Sequence, residues 1–200
     1  MVDVRVVDVG ARACLVEVDD ALAAAALATW VRASGLVAHE VVPAARTVLL
    51  DGVDPDAVRE VLTQWAAAHA SRPGPLVRLA VHYSGPDLAR VAEHWGCTTQ
   101  EVVGLHTSLE FTSTFCGFAP GFAYLAGLPL ERAVPRLESP RTRVAPGSVG
   151  LADTWCGVYP SASPGGWLLI GTTDASLWDV DRAEPALLAP GTRVRFEAAG

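Results

Sequence analysis

Residues 115–171 read FCGFAPGFAYLAGLPLERAVPRLESPRTRVAPGSVGLADTWCGVYPSASPGGWLLIG, and this stretch decides what kind of fold the chain can adopt. Glycine and proline recur every few residues, while aromatic and aliphatic residues lie between them. A disordered linker would lack these apolar residues because it has nothing to bury. The frequent breakers leave no room for a helix of ordinary length. The stretch therefore predicts compact β-structure with tightly shaped loops, where we expect function.

The chain before this stretch predicts two helices on a mostly antiparallel sheet. Asp19 or Asp20 can cap a helix that runs to about Ala33, and Asp54-Pro55 starts a second helix. We expect the first helix to bury Leu22, Leu27, Trp30 and Val31. Four strands are expected around these helices, at 2–9, 14–18, 36–42 and 47–50. This order is typical of a ferredoxin-like α+β domain, which we place at residues 1–75.

Residues 76–200 predict a second domain in which β-structure dominates. A strand is expected at 76–83, and a short helix then ends at Gly96. Thr98 and Glu101 have the spacing of a capping box, which indicates another helix. Ser163-Pro164-Gly165-Gly166 is typical of a hairpin turn.

The composition excludes several classes of function. All 15 basic residues of this 200-residue chain are arginine, which rules out Schiff-base, biotinyl and P-loop lysine chemistry. The net charge of −7 argues against nucleic acid as a partner. Four scattered cysteines show no metal-binding spacing, and the longest apolar run is too short to span a bilayer. We therefore expect a cytoplasmic protein with no bound metal and no membrane association.

An arginine cluster is the first candidate site. Two of its members, Arg136 and Arg141, directly follow prolines, whose rings restrict the backbone. Such arginines suit recognition of a carboxylate or phosphate. On spacing alone, salt bridges to Glu131, Glu138 or a partner chain are the simpler interpretation of the cluster. The cluster consists of Arg132, Arg136, Arg141 and Arg143.

Three further residues have side chains that can take part in catalysis. His106 stands where a helix gives way to β-structure and is the best candidate for an acid–base role, although a histidine that bonds to backbone at a helix end is the simpler interpretation. Ser148 lacks the G-x-S-x-G pattern of a nucleophile, so a hydroxyl that bonds within a turn is the simpler interpretation. Cys156 has no cationic neighbour in sequence, which indicates a small buried apolar residue.

A series of ordered motifs resembles the family that includes the B-type subunit of 5-oxoprolinase, the sporulation kinase inhibitor KipI and allophanate hydrolase subunit 1. The resemblance covers nearly the whole chain and is dense from residue 80 onward. It departs at Trp155-Cys156, where family members usually carry a glutamine and a threonine. The motifs are Gly117-Phe118-Ala119-Pro120-Gly121-Phe122, Gly127-Leu128-Pro129, Pro135-Arg136-Leu137, Gly147-Ser148-Val149-Gly150, Gly157-Val158-Tyr159-Pro160 and Ser163-Pro164-Gly165-Gly166-Trp167.

The resemblance implies a ferredoxin-like domain followed by a cyclophilin-like β-barrel. It also implies that the chain is the B-type subunit of an ATP-dependent 5-oxoprolinase-type complex, which converts 5-oxo-L-proline to L-glutamate. A C-type subunit would form a heterodimer or heterotetramer with it, and an ATP-using A-type subunit would complete the complex. Two alternatives stay open: a histidine-kinase inhibitor of the KipI type, and an allophanate hydrolase or urea carboxylase-type carboxyltransferase component.

The resemblance also implies which residues form the site. His106 would move a proton, while arginines would hold the substrate carboxylate. This chain would bind no cofactor, because ATP is expected on a partner subunit, and it would be inactive alone. The expected substrate-binding residues are Arg136, Arg141, Tyr124, Tyr159 and Ser148.

Overall fold

The computed structural model describes residues 4–65 and 74–199. Packing within the chain divides it into two compact units, Met1–Pro73 and Gly74–Gly200. In the parts of the chain that the structure describes, no helix combines the length and the apolar character needed to cross a bilayer.

The first unit is an antiparallel sheet with two helices. Its sheet order is β1-β2-β4-β3. If β1 is placed after α2, the chain order becomes βαββαβ, which is the ferredoxin-like order with one strand moved to the front. The elements are β1 Arg5–Asp8, β2 Ala13–Glu17, α1 Ala21–Ala33, β3 Glu40–Pro43, β4 Thr47–Asp51 and α2 Pro55–Leu62.

Helix α1 begins where the sequence predicts, because the Asp20 side chain accepts a hydrogen bond from the backbone N–H of Ala23 at 2.8 Å. The predicted buried stripe is wrong at Leu22, which is 53% exposed. Ala24, Leu27, Ala28 and Val31 bury the face instead, at the i, i+3, i+4, i+7 spacing of one helical side. Small alanines at two of these positions let α1 lie close to β3 and β4.

The second unit is built around a seven-stranded sheet with the order β12-β9-β10-β7-β6-β13-β5 and a two-stranded sheet, β11-β8. Its strands are β5 Leu76–Val81, β6 Phe111–Cys116, β7 Ala123–Ala126, β8 Arg141–Val144, β9 Ser148–Ala152, β10 Trp155–Val158, β11 Ser163–Gly165, β12 Leu168–Thr172 and β13 Arg193–Ala198. Its helices are α3 Leu88–Trp95, α4 Thr99–Ser108 and a short 3₁₀ helix, Leu130–Arg132.

The two outer strands of the large sheet approach each other and nearly close it into a barrel. His82, just after β5, exchanges backbone hydrogen bonds of 2.9 and 3.0 Å with Thr172 at the end of β12. Within the sheet, β13 lies between β5 and β6 and runs parallel to β5. Helices are few and nearly all strand pairs are antiparallel, so the predicted α+β class with a C-terminal β-barrel is confirmed.

Local sequence signals in this unit set the end of α3 and the start of α4. Thr98 and Glu101 form the predicted capping box, with reciprocal bonds of 2.7 and 3.2 Å. Gly96 ends α3 in the left-handed conformation, at φ 65°. The predicted hairpin turn at residues 163–166 is wrong, because Ser163–Gly165 forms β11 and pairs with β8.

Candidate functional site

An open cavity of about 420 Å³ lies on the second unit, and we call it the aromatic cleft. Six of its thirteen lining residues are aromatic, and the charged lining residues are one arginine and one aspartate. The lining residues are Phe118, Phe122, Tyr124, Arg136, Pro140, Ala152, Asp153, Trp155, Tyr159, Pro164, Gly165, Gly166 and Trp167.

The aromatic rings reach the cleft from neighbouring strands. Tyr124 lies on β7 and Trp155 on β10, while Tyr159 follows β10 and Trp167 precedes β12. Phe122 is 2% exposed and makes edge-to-face contacts with Tyr159 and Trp167, each with ring centroids 5.4 Å apart. These contacts favour one geometry, so the cleft has a rigid aromatic wall.

Two glycines of the motifs make room for these rings. A Cβ atom at Gly165 would stand 2.5 Å from the Tyr159 hydroxyl, and one at Gly157 would stand 2.9 Å from Phe122 Cζ. Both positions therefore exclude any side chain unless the aromatic ring moves. This is why glycine is needed at these points of β10 and β11.

Phe118 and Asp153 have a left-handed backbone, with φ of 69° and 52°. They are the only non-glycine residues with this conformation among the described residues, and both line the cleft. Phe118 belongs to the β6–β7 loop, where the Ala119 N–H bonds to the Gly117 carbonyl at 2.8 Å. Strained residues cluster at functional sites, so their coincidence here makes the cleft the candidate functional site.

Arg136 provides the positive charge of the cleft. Its position is held by the backbone, because the Leu137 N–H donates to the Gly166 carbonyl at 2.7 Å. The guanidinium lies over Gly166, where an added Cβ would stand 3.7 Å from Arg136 Nη2. Burial raises the pKa of Tyr159, and the Arg136 charge partly offsets this effect. The side chain is thus placed to meet an anion beside the Tyr159 hydroxyl.

Arg141 is an ion-pair residue outside the cleft lining. Its Nη2 donates to both carboxylate oxygens of Asp87 at 2.8 Å, and its Nη1 donates to the Trp167 carbonyl at 3.3 Å. Asp87 is 6% exposed. The Arg141 guanidinium is therefore already satisfied by protein groups. Its partner is Asp87 and not Glu131 or Glu138, which the salt-bridge interpretation of the arginine cluster named.

His106 also lies away from the cleft, in the core of the second unit. It is fully buried between Phe111 and Phe196, whose ring centroids lie 5.1 and 4.5 Å away. The Tyr83 hydroxyl lies 2.7 Å from Nδ1, and the Cys156 sulfur lies 3.4 Å from Nε2. Loss of hydration lowers the pKa of His106 to about 3. The histidine is a neutral core residue, and its expected acid–base role gains no support from its position.

Cys156 and Ser148 are buried as well. Burial raises the pKa of the Cys156 thiol, so it is an inert, protonated group. Ser148 lies on β9 at 4% exposure, and its carbonyl accepts a hydrogen bond from Tyr159 N at 2.9 Å. Of the expected site residues, Tyr124, Arg136 and Tyr159 come together in the cleft. The roles given to Ser148 and Arg141 in substrate binding stay predictions.

Sequence reasoning missed Asp153 and Trp167 as cleft residues. Asp153 lies in the turn between β9 and β10, and its backbone bonds in both directions with Val134, at 2.6 and 3.0 Å. No local pattern reveals this pairing across the chain. Trp167 was visible within the Gly165-Gly166-Trp167 motif, and its neighbouring glycines were the signal that a bulky ring packs there.

Comparison with known proteins places these observations in a family context. A family model described as carboxyltransferase domain, subdomain C and D, matches residues 4–188. The chain is 46% identical over 145 residues to the B-type subunit of 5-oxoprolinase from Escherichia coli O157:H7, a match that covers 70% of this chain and 66% of that protein. It is 42% identical over 116 residues to the corresponding 5-oxoprolinase protein of Haemophilus influenzae, covering 58% and 54%. The chain thus spans less than two thirds of the length of these curated relatives.

Several solved structures are similar to this chain in fold. TTHA0988 has a TM-score of 0.77 and 31% identity, over 94% of this chain and 40% of that one. The uncharacterised protein PH0987 from Pyrococcus horikoshii has a TM-score of 0.60 and 31% identity, over 98% and 97%. Kluyveromyces lactis urea carboxylase has a TM-score of 0.72 over all of this chain and 22% of that one. At 17% identity, the last likeness shows the fold alone.

Proposed function

Because the chain belongs to the carboxyltransferase domain, subdomain C and D, family, we propose that it is the B-type subunit of an ATP-dependent 5-oxoprolinase-type complex. Such a complex opens the lactam ring of 5-oxo-L-proline to give L-glutamate. The observation that carries this proposal is the 42–46% identity to the B-type subunits of three bacterial 5-oxoprolinases. The aromatic cleft supports it, since Arg136 suits the carboxylate that 5-oxoproline carries.

The chain acts with partner subunits in this proposal. A homologue of the C-type subunit binds it as a heterodimer or heterotetramer, and an A-type subunit uses ATP, which this chain has no signature to bind. Exposed apolar side chains on the second unit suit a partner surface, because large exposed apolar groups favour burial. They are Phe118, Leu130, Trp178 and Val180, at 61%, 77%, 42% and 74% exposure. Four free cysteines suit a reducing cytoplasm.

Reconstitution tests the proposal directly. The chain is co-expressed with its C-type and A-type partners, and ATP-dependent release of glutamate from 5-oxoproline is measured with and without this chain. We expect activity only when all components are present. Unchanged activity without this chain would refute the proposal. A preparation that lacks the A-type partner serves as the control, because it removes the ATP-using component while keeping this chain and the C-type partner together.

One structural observation favours a second candidate, a kinase-binding module. Phe118 is exposed, and an added Cβ at Gly121 would stand 2.9 Å from Trp178 Cβ, so the loop of Phe118 adjoins a second exposed ring. Such a patch suits docking to another protein. Inhibition of autophosphorylation of a histidine kinase encoded beside this gene tests that candidate, and replacing Phe118 and Trp178 by serine would then abolish inhibition. The carboxyltransferase alternative is supported by the family match and by the likeness in fold to urea carboxylase.

A further inference from the structure

A second cavity, of about 370 Å³, adjoins the aromatic cleft, and we call it the His94 cavity. It shares Arg136 and Asp153 with the cleft, and its third polar lining residue is His94, in the last turn of α3. None of its lining residues has a large aromatic ring, so it suits a small polar ligand rather than a flat ring. The lining residues are His94, Ala133, Val134, Pro135, Arg136 and Asp153.

Hydrogen bonds hold the walls of the His94 cavity in place. Trp95 Nε1 donates to the Arg132 carbonyl at 3.0 Å, and Arg132 Nη1 donates to the Trp95 carbonyl at 3.1 Å, which attaches this segment to α3. On the other side, Val134 and Asp153 exchange backbone hydrogen bonds of 2.6 and 3.0 Å. His94 and Asp153 therefore project from fixed backbone, so binding a ligand orders little of the protein.

Arg136 and Asp153 bring an unpaired cation and an unpaired anion to this cavity. Both are exposed, and neither side chain has a hydrogen bond or an ion pair with any residue of 4–65 or 74–199. Other arginines of the same unit, such as Arg141 and Arg193, are ion-paired. The guanidinium offers only N–H donors and the carboxylate offers only acceptors. A ligand that satisfies both carries a negative oxygen for Arg136 and a donor for Asp153.

His94 adds a group that can either accept or donate a hydrogen bond. Its Nε2 lies 3.0 Å from the Ala133 carbonyl, which can only accept, so Nε2 carries a proton. Nδ1 has no partner in the described part of the chain; it accepts when the ring is neutral and donates when the ring is protonated. An oxyanion that bears a hydroxyl matches both states, because it offers an oxygen that accepts and an O–H that donates.

We propose that the His94 cavity binds inorganic phosphate. At neutral pH phosphate carries both ionised oxygens and a P–O–H group. An ionised oxygen accepts from Arg136, the hydroxyl donates to Asp153, and Nδ1 of His94 makes the third contact. Sulfate is similar in size and charge but has no hydroxyl, so the Asp153 carboxylate repels it and the cavity selects phosphate.

Isothermal titration of the full chain with phosphate and with sulfate, at pH 7 and equal ionic strength, tests this assignment. We expect phosphate to bind at least about tenfold more tightly than sulfate, because sulfate leaves the Asp153 carboxylate unpaired. Absence of phosphate binding overturns the proposal. Equal binding of the two anions also overturns it, because it would show attraction to Arg136 by charge alone.

The Asp153→Asn variant tests the selectivity through a gain of binding. Asparagine tolerates the left-handed backbone at this position, and its amide N–H can donate to sulfate. We expect the variant to bind sulfate at least about tenfold more tightly than the parent chain does. A gain of this kind cannot come from unfolding, and an unchanged preference for phosphate would overturn the proposal.

Two further variants place the anion in the His94 cavity rather than in the aromatic cleft. Arg136→Gln should weaken phosphate binding at least about tenfold, and His94→Gln about threefold or more. Tyr159→Phe changes only a cleft residue and should leave phosphate binding unchanged. Arg143→Gln is the control for charge, because Arg143 is exposed on β8 and lines neither cavity. Phosphate binding that Tyr159→Phe weakens and His94→Gln leaves intact overturns the assignment.

The site rests on the cavity and its charges, whereas one source of its ligand rests on the proposed function, because an ATP-using partner releases phosphate. Binding and activity nevertheless fail independently. If the chain shows the expected selectivity but no assembly releases glutamate, the phosphate site stands and the proposed function fails. If the complex releases glutamate but the chain binds phosphate no better than sulfate, the proposed function stands and the phosphate site fails.

Discussion

One nitrogen of Arg141, Nη2, lies 2.8 Å from both carboxylate oxygens of Asp87. The backbone N–H of Leu169 donates to the same carboxylate at 2.7 Å. Asp87 immediately precedes α3, Arg141 begins β8 and Leu169 lies on β12. The pair therefore ties a helix to both sheets of the second unit, directly behind the backbone that carries Trp167.

Removal of Arg141 is expected to destabilise the protein strongly. Arg141→Met leaves the buried Asp87 carboxylate without its cation, which costs about 3–5 kcal/mol in comparable buried pairs. Urea unfolding at pH 7 measures the change. Arg195→Met is the control, because Arg195 pairs with Glu110 at the surface, where a pair contributes about 1 kcal/mol or less. Similar losses in the two variants would contradict a structural role for Arg141.

His106 is expected to make stability depend on pH. The pKa of His106 is about 3 in the folded protein and 6.5 ordinarily. Between these pH values the histidine is protonated in the unfolded chain and neutral in the folded protein. Stability is therefore complete above pH 6.5 and is lost as pH falls towards 3, by up to about 1.4 kcal/mol per pH unit. Urea unfolding between pH 7 and 5 measures this slope. This pH range is chosen because it lies above the pH at which most carboxylates titrate.

The His106→Gln variant isolates the contribution of this histidine. The other histidines are present in both proteins, so their effects cancel in the difference between the two curves. We expect the variant to be less stable at pH 7 but flatter between pH 7 and 5. Parallel curves for the two proteins would show that His106 does not become protonated on unfolding.

Gly165→Ala is expected to disturb the cleft, and Gly166→Ala is not. The first change places Cβ 2.5 Å from the Tyr159 hydroxyl, whereas the second places it 3.7 Å from its nearest neighbours. Overpacking of this kind costs about 1–3 kcal/mol. Thermal unfolding and titration with 5-oxo-L-proline measure both effects, and equal behaviour of the two variants would contradict the fixed position of Tyr159.

Cysteine labelling is expected to follow burial. Cys14 and Cys156 are fully buried, and burial raises the pKa of both thiols, so iodoacetamide should reach them only in denaturant. Cys116 is exposed and should react in the native protein, slowly because burial of its sulfur raises its pKa as well. Peptide mass spectrometry identifies the labelled sites. Rapid native labelling of Cys156 would contradict its place in the core.

Signals carried by neighbouring residues were readable from the sequence. The Asp54-Pro55 start, the Thr98–Glu101 capping box and the glycine after α3 are each set within a few residues, and all three are confirmed. The family resemblance drawn from the glycine-rich motifs is confirmed as well. Leu22 was misplaced because helical periodicity fixes a stripe but not which of two adjacent stripes faces the sheet.

The site was harder to predict because its contacts join distant parts of the chain. Arg141 and Arg136 look alike in sequence, each following a proline. Only the fold brings Asp87 to Arg141 and leaves Arg136 without a partner among the described residues. Asp153 has a left-handed backbone and pairs with Val134. No local sequence pattern predicts this pairing.

The position of β13 bears on how fast the protein folds. Leu76 pairs with Arg193 and Val81 with Ala198, so the β13–β5 end of the large sheet forms only when segments from opposite ends of the second unit meet. Pairings this far apart in sequence typically slow folding to about milliseconds or seconds. Until β13 pairs with them, β5 and β6 each have an unpaired edge to which a strand of another molecule can bind. Refolding at high protein concentration should therefore lose material to aggregation.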